Sequence, residues 1–372
     1  MPTRKTQSRI AETGQSLVIG FDAIEMNARL RALLEKIQPA GVILFGRNIK
    51  TPEQTWRLLA ECRSRVSTPL FTCVDLEGGQ VDRFREALGP TPSAAAVFST
   101  GTRALFRRHG AIIGANCRAL GFNVSFAPVL DLAFAASRSV MSSRAVSADP
   151  RATAGYAGAF LAGLHAHKIL GCGKHFPGLG EGQLDSHHAM PVIEKSLRKM
   201  LAEDLAPYRA LRRELAFVMV GHGAYPQVTH DRTPASLSKF WIDDVLRRRI
   251  GFRNLAISDD LEMGGVLAAA GTGEAAVGHL RAGGDLALIC HREDYIFEAQ
   301  ELLIRTSEKD RRFASRVRES AARVLKCKKR FAKYLQAGRA PSAAAVHRLA
   351  TNLRKFNAEI AQAAGPEKAW RA

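Results

Sequence analysis

The stretch from Ile169 to His187 reads ILGCGKHFPGLGEGQLDSH, and its first half decides the fold. Ile169–Gly173 is a short apolar run, too brief for a helix, that ends at once in two polar side chains, Lys174 and His175. A run of that length bounded by polar residues and glycine reads as a buried strand. Working outward, seven more such runs occur: Leu17–Gly20, Val42–Phe45, Leu70–Val74, Val124–Ala127, Phe217–Val220, Leu255–Ser258 and Leu286–Cys290.

Between the runs lie stretches with helical periodicity, among them Met26–Ile37, Pro52–Arg65, Arg103–Leu120, Arg151–His167, Leu197–Arg213 and Lys239–Arg249. Eight strands alternating with helices predict a parallel sheet, and the number eight predicts a closed (β/α)8 barrel of the TIM type. The polar residues support closure. Asp75 follows the third run, His175 the fifth, His222 the sixth, Asp259 the seventh and His291 the eighth. Reactive side chains at the C-terminal ends of successive strands are where a barrel builds its site, whereas an open doubly wound sheet gathers them at one switch point.

The chain is 372 residues long with 46% hydrophobic content, enough to bury a large core. The expected division is a barrel over residues 1–300 and a basic helical C-terminal extension over 301–372, with helix from about Glu293 to Leu335 and again from Ser342 to about Ala364. The basic N-terminal residues are followed by no apolar h-region, and no run of eighteen apolar residues occurs, so neither a signal peptide nor a membrane span is expected. Six scattered cysteines without a CxxC pair fit buried thiols in a reduced, cytoplasmic setting. The formal charge is +19, but from Arg305 to Ala372 there are 18 Lys and Arg against 5 Asp and Glu. Most of the excess therefore lies outside the barrel and reads first as a solvated basic helical face and tail, and second as a surface that attracts anionic partners such as nucleic acid, cell-wall fragments or membrane; nucleic acid is disfavoured as a partner.

Three segments carry chemistry. The polar loop after Lys174-His175 holds Gly178, Gly180 and Gly182, which favour mobility, and ends in Asp185-Ser186-His187. A carboxylate two residues before a histidine can fix its tautomer and stabilise the imidazolium, making a general acid and base. Alone, the triplet equally suits a surface loop. In Ile257–Leu261 an apolar strand runs into Asp259-Asp260. An aspartate there can be a nucleophile, a metal ligand or the cap of the next helix, and the cap role suits Asp260 while Asp259 faces the mouth. In VDLEGGQVDR, Val74 to Arg83, Asp75 can accept two vicinal hydroxyls or simply pair with Arg83. Lys174, His175 and Arg144 add donors for hydroxyl and acyl oxygens of a polar ligand.

Together, VDLEGGQVDR, the FAPVLD run from Phe126 to Asp131, KHFPG, DSH and SDDLEM, in this order, resemble the bacterial β-N-acetylglucosaminidases (β-hexosaminidases) of glycoside hydrolase family 3. ILFGRNI at Ile43–Ile49 and PASLS at Pro234–Ser238 resemble family segments too, so the likeness spans roughly Ser16 to His291. The resemblance implies that Asp259 is the nucleophile, that His187 is the acid/base with Asp185 as its partner, and that Asp75, Arg83, Arg144, Lys174 and His175 hold a terminal N-acetylglucosamine. It implies a small carbohydrate substrate, an N-acetylglucosaminyl muropeptide or a chito-oligosaccharide, and no metal or organic cofactor. Leu179 departs from the subgroup, where KHFPGHG is common.

Other readings compete. A metal-dependent barrel hydrolase would draw on His175, His187, His188, His222 and the Asp259–Asp260 pair, but no HxH follows the first strand. A β-glucosidase of the same family generally has a further domain and lacks the DSH loop. A non-catalytic binding module has no need of Asp185, His187 and Asp259 together.

Overall fold

A computed structural model describes residues 4–182 and 190–363. Its centre is a closed barrel of eight parallel strands, as the sequence predicts. The strands are β1 (Leu17–Ile19), β2 (Gly41–Leu44), β3 (Phe71–Val74), β6 (Val124–Ser125), β7 (Leu170–Phe176), β8 (Phe217–Val220), β9 (Leu255–Asp260) and β10 (Leu286–Ile289). Two short antiparallel strands outside the barrel, β4 (Leu76–Gly78) and β5 (Val81–Asp82), form a hairpin directly after β3. Each barrel strand pairs with its neighbours in parallel, and β1 closes on β10 with Val18 opposite Leu288.

The barrel strands are almost wholly buried because both faces are covered. Side chains such as Phe71, Phe126, Phe217, Met219 and Ile257 fill the interior, while Leu17, Val42, Leu44 and Val218 pack outward under the helices. The surrounding helices start where the chain supplies caps. Asn27 accepts from Leu30 N–H, Thr51 from Gln54 N–H ahead of Pro52, and Asp149 from Arg151 N–H ahead of Pro150.

Three helical stretches differ in detail from the sequence expectation. Leu197–Arg213 is two short helices, Leu197–Ala202 and Ala206–Leu211: the backbone leaves the helical path at Glu203 (φ −112, ψ −90), Pro207 opens the second helix, and Asp204 between them meets the buried Lys195 amine at 2.6 Å. The helix Phe240–Arg249 is wound with π-type turns and ends with Ile250 N–H reaching back five residues to Val245 O. The long C-terminal helix breaks at Asp310, an extended residue whose carboxylate accepts from Arg312 and Phe313 N–H and so starts a new helix, Arg311–Arg330.

That helix closes the bottom of the barrel, the end away from the strand C-termini. Val324 and Cys327 join the interior core there, with Leu335 from just beyond. Lys328 goes in with them, its amine donating to Gln15 Oε1 at 2.7 Å and Thr68 Oγ1 at 3.2 Å. The last helix, Ala343–Ala363, lies on the barrel side and buries Leu353, Phe356 and Ile360. All six cysteines are unpaired and buried. Among the described residues no helix is long and apolar enough to cross a membrane.

Candidate active site

The C-terminal ends of the strands open into two cavities that meet at Asp75, Arg83 and Asp259. The outer one, about 460 Å³, is rimmed by Phe45, Arg47, Asp260 and His291; the inner one, about 90 Å³, is lined by Glu77, Arg144, Lys174 and His175. Six of the residues singled out in the sequence, Asp75, Arg83, Arg144, Lys174, His175 and Asp259, are thus brought to one place. Asp185 and His187 lie outside the described residues, as does His188.

The inner cavity is organised by a carboxylate that sequence reading passed over. Glu77, on β4, accepts a bidentate pair from Arg144, Nε to Oε2 at 2.8 Å and Nη2 to Oε1 at 2.9 Å. Lys174 Nζ stands 2.6 Å from the same Oε1 and 2.7 Å from Asp75 Oδ1. Burial alone would push the Glu77 carboxyl up, but Arg144 and Lys174 outweigh it and hold it well below the usual range. Asp75 therefore pairs with Lys174, not with Arg83. Arg83 lies instead over the Phe45 ring, 5.5 Å from its centroid, and its buried Nε has no partner among the described residues.

A tight hairpin makes this possible. Gly78 sits at φ +91 with the Pro92 carbonyl so close that a Cβ would stand 2.2 Å from it, and Gly79 follows at φ +63. Asp82 then fixes the far side by accepting from Phe84 N–H at 2.9 Å and Thr91 N–H at 2.7 Å. Glu77 and Arg83 are delivered from opposite arms of one short turn.

Asp131, the last residue of FAPVLD, is the second acid that sequence reading left without a role. Its Oδ2 accepts from His175 Nδ1 at 2.6 Å and from His175 N–H at 3.0 Å, and its Oδ1 accepts from Leu179 N–H at 2.7 Å. On its other side His175 Nε2 stands 3.3 Å from Arg144 Nη2. Asp131 so ties the strand end to the first residues of the loop that leads to Asp185 and His187. Tyr225 Oη donates to Gly178 O at 2.7 Å in the same stem. Leu179, the departure from the family pattern, is buried and packs towards Gly221 and Gly223. On the returning arm, Ile193 N–H donates to Ala224 O at 2.9 Å, and Lys195 reaches Asp204 and Glu203 at 2.6 Å each.

Asp259 faces the junction of the cavities. Burial opposes its ionisation, but the His175 and His222 imidazoles, the Asp260 N–H and Lys174 outweigh that, so its carboxyl lies below the ordinary range. Asp259 Oδ1 accepts from Asp260 N–H at 2.9 Å. Asp260 belongs to β9 and caps no helix: its Oδ1 accepts from Glu262 N–H at 3.1 Å, and the next short helix begins after Met263. Burial and the Glu262 charge push Asp260 up to about 7.

Two histidines of the metal-hydrolase reading, His175 and His222, are engaged otherwise. His222 has Ser236 Oγ at 2.7 Å from Nδ1 and the Asp260 carbonyl at 2.9 Å from Nε2, and His175 is held as described. Among the described residues one group, Asp260, Glu262 and His291, brings potential ligand atoms within 4.8 Å of one another. Its Glu262 Oε1 already accepts the His291 and Arg292 N–H groups, and the His291 ring stacks on Phe45 at 5.2 Å. The arrangement is therefore a polar pocket in which Asp75 and Glu77 are matched to Lys174 and Arg144, while the Asp259 carboxyl, also held below its ordinary range, is in no ion pair among the described residues. It suits a neutral polyhydroxylated ligand and an attack by Asp259 on it.

Comparison with known proteins gives a consistent result. A family model described as the glycosyl hydrolase family 3 N terminal domain matches residues 8–327. The beta-hexosaminidase of Idiomarina loihiensis is 37% identical over 279 residues, 74% of this chain and 83% of that protein. Among solved structures, a glycoside hydrolase family 3 beta-N-acetylglucosaminidase from Paenibacillus sp. str. FPU-7 is similar with a TM-score of 0.88 and 30% identity, covering 96% of this chain and 68% of that one. NagZ from Neisseria gonorrhoeae in complex with N-trifluoroacetyl-D-glucosamine has a TM-score of 0.76 and 31% identity, covering 94% and 98%.

Proposed function

The chain belongs to glycosyl hydrolase family 3, and within that family we propose that it is a retaining exo-β-N-acetylglucosaminidase acting through a covalent glycosyl-Asp259 intermediate. The observation that carries this reading is the placement of Asp259 in one pocket with Asp75, Arg83, Arg144, Lys174 and His175, where its neighbours hold its carboxyl below the ordinary range. A nucleophilic carboxylate must be charged at neutral pH and free to approach carbon, and with Oδ1 accepting a backbone N–H, Oδ2 is left for attack. Glu77 is unsuited to that task, being clamped between two cations. The small inner cavity supports removal of one terminal sugar, with its hydroxyl and acetamido oxygens met by Arg83, Arg144, Lys174 and His175.

Retaining glycosidases usually set two carboxylates about 5 Å apart. Here His187, oriented by Asp185, takes the place of the second. It protonates the leaving oxygen as Asp259 attacks the anomeric carbon, then deprotonates the water that releases the sugar from Asp259. No metal or organic cofactor takes part. The relatives' names support β-N-acetylhexosaminidase activity, and the family resemblance supports a substrate among N-acetylglucosaminyl muropeptides or chito-oligosaccharides and a cytoplasmic role in peptidoglycan recycling.

The test compares hydrolysis of an aryl N-acetyl-β-glucosaminide and an aryl β-glucoside by the whole protein, with and without chelator. Turnover of the first alone, insensitive to chelator, is expected; preference for the glucoside would overturn the specificity. Asp259→Ala should abolish turnover with the fold intact by circular dichroism. His187→Ala should slow deglycosylation more than glycosylation, since a good leaving group needs little protonation. Ordinary turnover by Asp259→Ala would sink the mechanism.

A further inference from the structure

At the opposite end of the barrel from the active-site mouth lies a second cavity of about 490 Å³. It is formed where the residues leading into β9 meet the last turns of the helix Arg311–Arg330. Four cations face it, Arg253, Arg323, Lys326 and Arg330, and no acidic residue is among those lining it. Arg323 also pairs with Asp285 beneath the barrel, but neither hydrolysis nor closure of the barrel uses Arg253, Lys326 or Arg330.

The surroundings do not neutralise it. Arg330 Nη1 donates to Asn254 Oδ1 at 3.2 Å, a neutral acceptor that holds the guanidinium at the rim without cancelling it. Arg253 and Lys326 are in no ion pair among the described residues. Arg323 reaches the fully buried Asp285, but that carboxylate is also claimed by Arg247 Nη2 at 2.5 Å and Arg316 Nη2 at 3.3 Å. Arg316 has Glu319 as a second partner. Among the described residues Arg247, Arg253, Arg316, Arg323, Lys326 and Arg330 thus have ion pairs with Asp285 and Glu319 alone. Cations at a helix C-terminus complement the macrodipole, which accounts for Arg330, but Arg253 comes from a different segment and gains nothing from that dipole.

We infer that this cavity is a binding site for a small molecule carrying one or two phosphate groups. Guanidinium groups match phosphate oxygens bidentately, and two guanidinium groups and an ammonium without compensating acids favour a multiply charged anion. Leu255, Ala322 and Cys327 supply an apolar wall for the organic part of the ligand. The volume falls in the range of small-molecule sites, and a concave pocket suits a single phosphate ester better than the long basic stripe that a nucleic-acid backbone needs. The site stands independently of the hydrolase reading, since none of its residues lines the mouth.

The test uses inorganic pyrophosphate and ADP as probes, by calorimetry and thermal unfolding at physiological salt. Both should bind and raise the unfolding temperature with concentration. Arg253→Glu and Lys326→Glu should each weaken binding about tenfold or more, whereas Arg348→Glu, an equal charge change on the last helix, should leave it as it is. Aryl N-acetylglucosaminide turnover should be the same in all three. Phosphatidylcholine vesicles with and without phosphatidylglycerol identify the source of the phosphate. Binding to the anionic vesicles that pyrophosphate competes away assigns a lipid headgroup, and no vesicle binding assigns a soluble ester. Absence of binding by both soluble probes at millimolar concentration, an equal loss in Arg348→Glu, or vesicle binding that pyrophosphate does not compete would each overturn the proposal.

Discussion

Glu77→Gln removes one negative charge from beneath the pocket and keeps the side-chain shape. In the native protein Glu77 is the bidentate partner of Arg144 and shares Lys174 with Asp75. After the change Lys174 retains Asp75, but Arg144 keeps only a single amide acceptor and the His175 ring for a buried guanidinium. Breaking a buried pair on one side costs about 3–5 kcal/mol, and the retained amide contact puts this case near the lower figure. With about 2.1 cal/mol/K per residue of unfolding entropy and 372 residues, about 3 kcal/mol corresponds to a fall of about 4 °C in Tm. The loss must depend on pH in a definite direction. The folded carboxyl lies well below the unfolded value of 4.5, so its contribution is present above that value and is lost as pH falls towards the folded one. The wild-type advantage should therefore shrink on acidification below pH 4.5. KM for the aryl N-acetylglucosaminide should rise about tenfold as Arg144 and Lys174 lose their common anchor. Urea unfolding across this pH range and steady-state kinetics measure both effects. Equal stability of the two proteins at pH 7 together with unchanged KM would refute the assignment of Glu77 as the organiser of the pocket.

Two further outcomes follow from buried groups. Asp131→Ala frees the His175 ring and the Leu179 N–H together, and a misplacement of about 1 Å at the strand end should lower kcat by about 10²-fold. Secondary structure should persist by circular dichroism, and full kcat in a folded variant would contradict the role given to Asp131. Lys328, desolvated at the barrel bottom, is lowered to about 7 from 10.5, so the folded state loses a proton that the unfolded chain keeps. Stability should rise with pH between those values by at most about 1.4 kcal/mol per unit. Lys328→Met should abolish that rise, and parallel urea-unfolding profiles for the two proteins between pH 7 and 10 would count against it.

The barrel was legible because its strands are buried on both faces, which forces uninterrupted apolar runs such as Phe217–Val220 and leaves a polar residue only where a strand emerges. The candidate site was legible for the same reason: Asp75, His175 and Asp259 stand at the end of a strand or just beyond it. Glu77 and Asp131 escaped notice because their importance lies in partners distant in sequence. Glu77 acquires its role only when Arg144 and Lys174 are folded against it, and an acid beside two glycines reads equally well as a turn residue. The hairpin β4–β5 was missed because strands of three and two residues carry no periodicity, and their geometry rests on the positive φ of Gly78 and Gly79. The net charge shows the converse limit. The C-terminal placement of most of the +19 charge reads as a solvated basic face or a surface for anionic partners, yet what distinguishes Arg253, Arg323, Lys326 and Arg330 is their convergence from two segments on one concavity. Asp285 makes the point physically: as the single acid shared by three guanidinium groups among the described residues, it draws the basic helix under the barrel, and one of the three, Arg323, also lines the cavity, where Arg253, Lys326 and Arg330 stand without an acid of their own.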